Sequence, residues 1–326
     1  MNSDTTLATR RSALLYAAGL AMATVQGTAN ARALPTGPVQ LVVPFTPGSA
    51  SDVVARVFGQ SLSDVINQPV FVINRPGAGG TIAANSVAKA APDGRTLAVV
   101  GMGHLANPAL YKSLPYDTLK DFAPISPLAT FPNVLIVPAD SGMTTAKQLV
   151  DAAKARPGAL NYGTAGIGSA AHINMQMLIA STGISLTHIP LKGAGDIVTE
   201  VAAGRCQCGW APLGAAIGMV KSGRISALAI SSNVRSPLLH DVPTIREAGF
   251  PGAECNVWLG LLAPAKTPAE MVLALGEEVR MISAQPKVRE KLITACAEPL
   301  ALSPAEFDRL IHADYAVLDR LMRNAS

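Results

Sequence analysis

The chain has 326 residues, 49% of them hydrophobic, 15% charged and 4% aromatic, with 28 Gly, 24 Pro and 4 Cys. That length exceeds what a single core usually holds, so two domains are expected, and the composition is that of a globular protein. A net charge of +4 without a basic run, and few aromatics to stack bases, exclude a nucleic-acid groove. The scarcity of rings also argues against a site walled by aromatics.

Taken in order, Met1–Ala33 reads as a secretory signal peptide. Arg10-Arg11 is followed by an apolar run from Ala13 to Val25, too short to span a bilayer. Ala29-Asn30-Ala31-Arg32-Ala33 then offers two overlapping A-x-A cleavage patterns. The arginine pair fits a twin-arginine signal and the general secretory route alike. Cleavage after Ala31 or Ala33 gives an exported product, and removing Met1–Ala33 lowers the net charge to +2.

A strand–loop–helix rhythm follows. Strands are expected at Val39–Val43, Val70–Ile73 and Leu97–Val100, with helices after the first two, through Val53–Leu62 and Ala83–Ala90. Around Tyr116–Asn133 the prolines at 115, 124, 127 and 132 interrupt the pattern. It resumes with strands Val134–Val137, Leu160–Gly163, Thr187–Ile189, Cys206–Trp210 and Ile225–Ile230. Helices Thr145–Arg156, Ser169–Thr182, Asp196–Ala203 and Ala215–Ser222 alternate with them. Strand Val257–Leu262 precedes helices Pro268–Ala284, Pro286–Ala295 and Pro304–Arg323, whose leading prolines suit a first helical turn. Nearly continuous apolar strands separated by helices indicate parallel sheets buried on both faces. Two α/β lobes are expected, the chain crossing from the first to the second and returning.

Ligands of such sheets bind beyond the carboxyl ends of the strands. Three loops there share a chemistry: Pro47–Asp52, Gly77–Thr81 and Gly163–Ser169. Each places glycine and small hydroxyl residues just before a helix, where free N–H groups and the helix dipole favour an anion. Ser51, Asp52 and Ser169 also read as plain N-caps; three such loops in one chain favour an anion held in a cleft. Phosphate-loop and dinucleotide glycine motifs are absent, as is the G-x-S-x-G elbow that would make Ser169 and His172 a nucleophile and base. His104, His188, His240 and His312 show no metal-ligand spacing. Cys206-Gln207-Cys208 places two thiols on one strand face; free thiols and a bridge to Cys255 both remain open, Cys296 being the fourth.

The order of motifs resembles the Bug (TctC-like) receptors, the extracytoplasmic solute-binding proteins of the tripartite tricarboxylate transporter system. The resemblance is carried by Leu41-Val42-Val43-Pro44-Phe45, Gln68–Gly80 and Ala90-Ala91-Pro92-Asp93-Gly94. Leu114–Asp117, Lys120–Ile125, Leu160–Gly163, Asp241–Thr244 and Trp258–Pro264 extend it over the mature chain. It implies a two-lobed periplasmic-binding-protein (Venus flytrap, type II) α/β fold, each lobe a sheet flanked by helices. In that frame residues 34–126 and 231–326 form lobe one and 127–230 lobe two, with hinges near Pro124–Asn133 and Ser231–Asn233. It implies a periplasmic monomer that captures a small carboxylate and delivers it to a membrane permease. No catalytic residue, cofactor, metal or nucleic acid is expected. A sensing receptor and an exported α/β enzyme are the alternatives.

By position, the resemblance assigns ligand contacts to Phe45, Gly48, Ser49, Ser51 and Asp52 from the first loop, and to His104 and Asn107. The second lobe supplies Thr164, Ala165, Gly166, Ser169 and Ala170. Two departures bear on the ligand. Ser49 puts a hydroxyl where backbone alone is usual, and Trp210-Ala211-Pro212 lacks the acid that amino-acid-binding members carry. A ligand without an amino group is implied, a simple dicarboxylate or an aromatic acid, the low aromatic content favouring a small aliphatic one.

Overall fold

The computed structural model describes residues 33–324; the signal-peptide expectation lies outside the described residues except for Ala33. The first lobe opens with β1 (Val39–Val43), α1 (Ala50–Ile66), β2 (Val70–Asn74) and α2 (Thr81–Ala88). It continues with β3 (Thr96–Gly101), α3 (Met102–Leu110) and β4 (Phe122–Phe131). The second lobe contains β5 (Asn133–Pro138), α4 (Ala146–Ala155), β6 (Asn161–Thr164), α5 (Ala170–Thr182) and β7 (Thr187–Pro190). α6 (Ala194–Ala202), β8 (Cys208–Pro212), α7 (Leu213–Lys221) and β9 (Ile225–Ile230) complete it. The chain then returns through β10 (Val257–Pro264), α8 (Ala269–Ala284), α9 (Pro286–Thr294), β11 (Glu298–Pro299) and α10 (Pro304–Asn324).

Local chemistry accounts for these elements. α1 turns Val54, Ala55, Phe58 and Leu62 inward at helical spacing, starts on the Ser49 side chain and stops at left-handed Asn67. α4 begins with a capping box between Thr145 and Gln148. The nearly continuous apolar strands are buried on both sides, with the β1 cluster of Leu41, Val54 and Phe58 on one face and Val42, Ala84 and Val100 on the other.

The two sheets repeat one plan. The first has the order β11-β4-β10-β3-β1-β2 and the second β7-β6-β8-β5-β9. In each, the leading strand (β1 or β6) lies between its two parallel neighbours. The sheets are mixed, not parallel throughout. β10 runs antiparallel between β3 and β4, and β5 antiparallel between β8 and β9. β10 and β5 are the strands by which the chain enters each lobe from the other. They arrive from the facing side and so run against the local direction.

The crossings are shorter than the sequence implied. β4 stays in the first sheet to Phe131, and β5 starts at Asn133, so Pro132 alone separates them. Segment 231–255 was expected with lobe one, but most of it packs on lobe two. Ile230 bridges to Thr244, and Leu238, Ile245, Phe250 and Ala253 join the second-lobe core. The return crossing therefore falls near Cys255–Val257. At this junction Ser231 N–H donates to the Asn133 carbonyl and Cys255 N–H to the Ser231 carbonyl, at 2.9 Å each.

All four cysteines are free, so the bridge left open by the sequence is absent. Cys206 and Cys208 lie in the second-lobe core, whereas Cys255 packs in the first beside Met102. Burial pushes the Cys208 and Cys255 thiols up to about 12, which keeps them protonated.

Candidate functional site: a cleft between two helix N-termini

Because the sheets share one plan, the loop after β1 and the loop after β6 are equivalents, and they face each other across one cleft. Both end in the tripeptide Gly-Ser-Ala, Gly48–Ala50 and Gly168–Ala170. The conformations match closely. The glycines have φ of 82° and 78°, values that favour glycine. Both serines have φ −67° and ψ 158° and cap their helices. The N–H of each serine donates back to the third preceding carbonyl, Thr46 or Gly166, at 3.2 Å.

Each serine Oγ then accepts the N–H three residues on, Asp52 or His172, at 3.3 Å. That leaves the N–H groups of Ala50 and Ser51, and of Ala170 and Ala171, in the first turn without a helical acceptor. Two helix N-termini thus border one cleft, which Ala50, Ser51 and Ala170 line. An anion suits both ends of it.

The cleft holds about 410 Å³. Of the residues assigned by resemblance, Phe45, Ser49, Ser51, His104, Asn107, Ala165, Ser169 and Ala170 line it. Gly48, Asp52, Thr164 and Gly166 stand behind that wall and shape it. The Asp52 carboxylate accepts from Gly48 N–H, from Arg56 at 2.9 and 3.0 Å, and from Asn74 at 2.9 Å. Burial pushes this carboxyl up, but those donors outweigh it and hold it below the usual range. Its charge is spent on fixing the loop. Thr164 plays the matching part in lobe two, its hydroxyl 2.6 Å from His188 Nε2 and accepting the Gly166 N–H at 3.1 Å. The Ser169 hydroxyl donates to the Gly166 carbonyl at 2.7 Å.

His104 and Asn107 come from α3, which sequence reading did not resolve as a helix. Burial pushes His104 down to about 4, against a backbone hydrogen bond to Thr118, so its ring is neutral. It stacks on Tyr116 at 5.6 Å and meets the edge of Phe122 at 5.0 Å. Asn107 Nδ2 donates to the Gly79 carbonyl and to the Tyr116 hydroxyl, both at 3.4 Å, tying the Gly77–Thr81 loop to α3. Beneath the second-lobe loop, His172 Nδ1 accepts the Gly168 N–H at 3.4 Å and packs 5.0 Å from His188.

Sequence reading did not assign Gly79, Gly80, Asn133, Ile167, Gly168, Pro212 or Trp258 as contacts, yet all line the cleft. The Gly77–Thr81 loop had been read as an anion loop, and that was the available signal for two of them. Asn133 Nδ2 donates to Asn174 Oδ1, a pairing across 41 residues that no local pattern reveals. Among the described residues that line the cleft there is no Lys, Arg, Asp or Glu. Nor do three or more described His, Cys, Asp or Glu residues gather as a metal site. No described helix is long and apolar enough to cross a membrane.

The lobes touch at the cleft. A Cβ at Gly103, in the first turn of α3, would lie 2.9 Å from the Gly168 carbonyl oxygen of lobe two. Ile173 and Met177 of α5 join the apolar cluster built mainly from lobe one.

Known proteins share this architecture. The family model described as Tripartite tricarboxylate transporter family receptor matches residues 54–326. A protein of Pseudomonas sp. (strain P51), described as UPF0065 protein in tcbD-tcbE intergenic region, is 38% identical over 279 residues, 84% of this chain and 83% of that protein. Among solved structures, R. palustris Rpa4515 with adipate has a TM-score of 0.79 at 34% identity, covering 89% of this chain and 98% of that one. MatC (Rpa3494) from Rhodopseudomonas palustris with bound malate has a TM-score of 0.76 at 31% identity, covering 89% and 100%. The fold is the two-sheet α/β periplasmic-binding-protein fold, with both sheets mixed and flanked by helices.

Proposed function

The chain belongs to the tripartite tricarboxylate transporter receptor family, a family of binding proteins and not of enzymes, and from that premise we propose that it is a periplasmic receptor that closes on a small carboxylate and delivers it to a membrane permease. The observation that carries this reading is the facing pair of Gly-Ser-Ala helix starts, one from each lobe. A carboxylate between them accepts from Ala50 and Ser51 on one side and Ala170 and Ala171 on the other. Neither set suffices alone, so bound anion gains contacts only when the lobes meet, and the population shifts toward closure. The short crossings at Pro132 and at Cys255–Val257 are the hinges. The adipate and malate held by structural relatives are small carboxylates of the class this geometry suits. Export through the Met1–Ala33 signal would place the receptor where such a ligand arrives.

The test uses proline, which lacks an N–H and is tolerated at the first helical position. Ala170 occupies that position in α5, and Ser169 already has the extended conformation that a following proline requires. Ala170→Pro should fold normally and lose one charged hydrogen bond, worth about 1.5–3 kcal/mol, or roughly ten- to a hundredfold in Kd. A thermal-shift screen against mono-, di- and tricarboxylates and amino acids identifies the ligand, and calorimetry compares the variant. Stabilisation by no carboxylate, or undiminished affinity in Ala170→Pro, would overturn the reading.

A further inference from the structure

We infer that Tyr111 determines specificity: its hydroxyl donates to a second carboxylate of the ligand, and so sets a preference for dicarboxylates over monocarboxylates. The inference rests on the carboxylate reading of the same cleft and names the residue that reads what the two helix starts leave over. Tyr111 lies one residue past the end of α3, where its N–H donates to the Asn107 carbonyl at 2.9 Å and fixes its backbone. The side chain lines the cleft and is 37% exposed. Its hydroxyl makes no hydrogen bond among the described residues. The third glycine loop gives way to it. Gly79 has φ of 61°, and a Cβ there would lie 2.8 Å from Tyr111 Oη. The loop thus leaves the phenol its space without engaging it.

Other side-chain donors of the described wall are committed. Asn107 Nδ2 donates to Gly79 and Tyr116, Asn133 Nδ2 to Asn174, the Ser169 hydroxyl to Gly166 and Trp258 Nε1 to Asp314. The Ser49 and Ser51 hydroxyls, 3.2 Å apart, belong to the α1 start and serve the first carboxylate. Outside the helix starts, Tyr111 is therefore the described lining residue with a side-chain donor to spare.

The surroundings suit a charged acceptor. α2 begins at Thr81, and its cap, Gly80, brings no side chain to the first turn. Gly79 and Gly80 both line the cleft, so a third helix N-terminus borders the phenol and favours an anion over a neutral group. Because the phenol is only partly buried, the group it holds keeps part of its hydration, and no cation is needed to offset its charge. The place also adjoins the seam between the lobes. A Cβ on Gly168 of lobe two would lie 2.8 Å from Cδ1 of Leu110, the residue before Tyr111. A dicarboxylate with one end at the helix starts and the other on Tyr111 spans this seam and adds to closure.

The test is calorimetry on the exported protein and on Tyr111→Phe, with each dicarboxylate paired against a monocarboxylate of the same skeleton. The pairs are succinate with butyrate, adipate with hexanoate and phthalate with benzoate. In at least one pair the parent should bind the dicarboxylate at least about tenfold tighter. Tyr111→Phe removes one oxygen and keeps the ring, so it should melt with the parent. It should weaken that dicarboxylate about tenfold and change its monocarboxylate partner less than twofold. Equal weakening of both members would make Tyr111 a support of the cleft and overturn the inference. A preference that survives in the variant overturns it too, as does the absence of preference in every parent pair. In each of these cases the binding itself leaves the carboxylate reading standing. Binding of none of the six overturns both.

Discussion

His104 and His172 are both buried and neutral, and both titrate near 4. Burial is the leading cause in each, joined at His172 by the charge of His188. In the unfolded chain the same rings titrate near 6.5. Between pH 6.5 and 4 the unfolded state therefore binds protons that the folded state does not. Stability rises with pH across this window and is lost as pH falls through it. Each displacement corresponds to about 3 kcal/mol at its acid end. A melting-temperature profile from pH 7 to pH 4 should fall steeply, and His104→Phe, which keeps the ring stack, should flatten it. A profile already flat in the parent protein would sink this account. Asp52 and Thr164 carry the lesson of legibility at this scale. Their types, next to glycines and before helices, marked the right loops. Only the folded geometry shows their polar atoms turned into the loop, because their partners Asn74 and His188 lie 22 and 24 residues away.

Among the elements, α3 and β4 eluded the sequence for opposite reasons. α3 starts on Gly101 and Gly103 and holds Pro108, three breakers in eight residues, and it survives by packing against α10. β4 holds Pro124 and Pro127, which read as interruptions. Both lie at register shifts of the β4–β10 ladder, where Ile125 and Leu128 bulge out, and bulges are where a strand tolerates proline. Whereas α1 runs three residues before and four beyond the Val53–Leu62 periodicity that marked it, the capped α4 was legible to within a residue at each end. Strand direction was not, because β5 and β10 carry the same apolar signature as their parallel neighbours. The glycine at the start of α3 gives a prediction. Gly103→Ala removes the entropic cost of glycine in a helix but sets a methyl 2.9 Å from the Gly168 carbonyl oxygen, a backbone atom that must shift, so the unliganded protein should melt no higher than the parent. Its methyl meets the Gly168 carbonyl, so closure is impeded and ligand affinity should drop about tenfold. Calorimetry and melting curves separate these effects; unchanged affinity would show that this contact is not needed for binding.

At the scale of the molecule, the repeat of one sheet plan explains why the cleft is built from equivalent parts. Each lobe brings the turn after its leading strand and the turn after that strand's third-placed neighbour to the same edge. Gly101–Gly103 at the end of β3 thus corresponds to Pro212 at the end of β8, and both line the cleft. Two α/β lobes and two crossings could be read from the alternation of strands and helices. The boundaries could not, because the segment around Leu238–Phe250 is loop-like in sequence and joins lobe two only through tertiary packing. Trp210 and Trp258 report on different places: the first is sealed in the second-lobe core, whereas the second lines the cleft and donates to Asp314 at 2.7 Å.

A wall without fixed charge also sets how a ligand finds it. Anions are drawn from a distance by exposed cations, and that attraction fades as electrolyte is added. Peptide dipoles act only over the last few ångströms, so encounter here is governed by diffusion and by how often the cleft is open. Stopped-flow measurement through Trp258 emission should return an association rate constant that changes less than twofold between about 10 and 500 mM sodium chloride. A tenfold fall over that range would mean that cations outside the cleft guide the approach. An uptake system built on such a receptor would keep its capture rate while the saltiness of its surroundings swings.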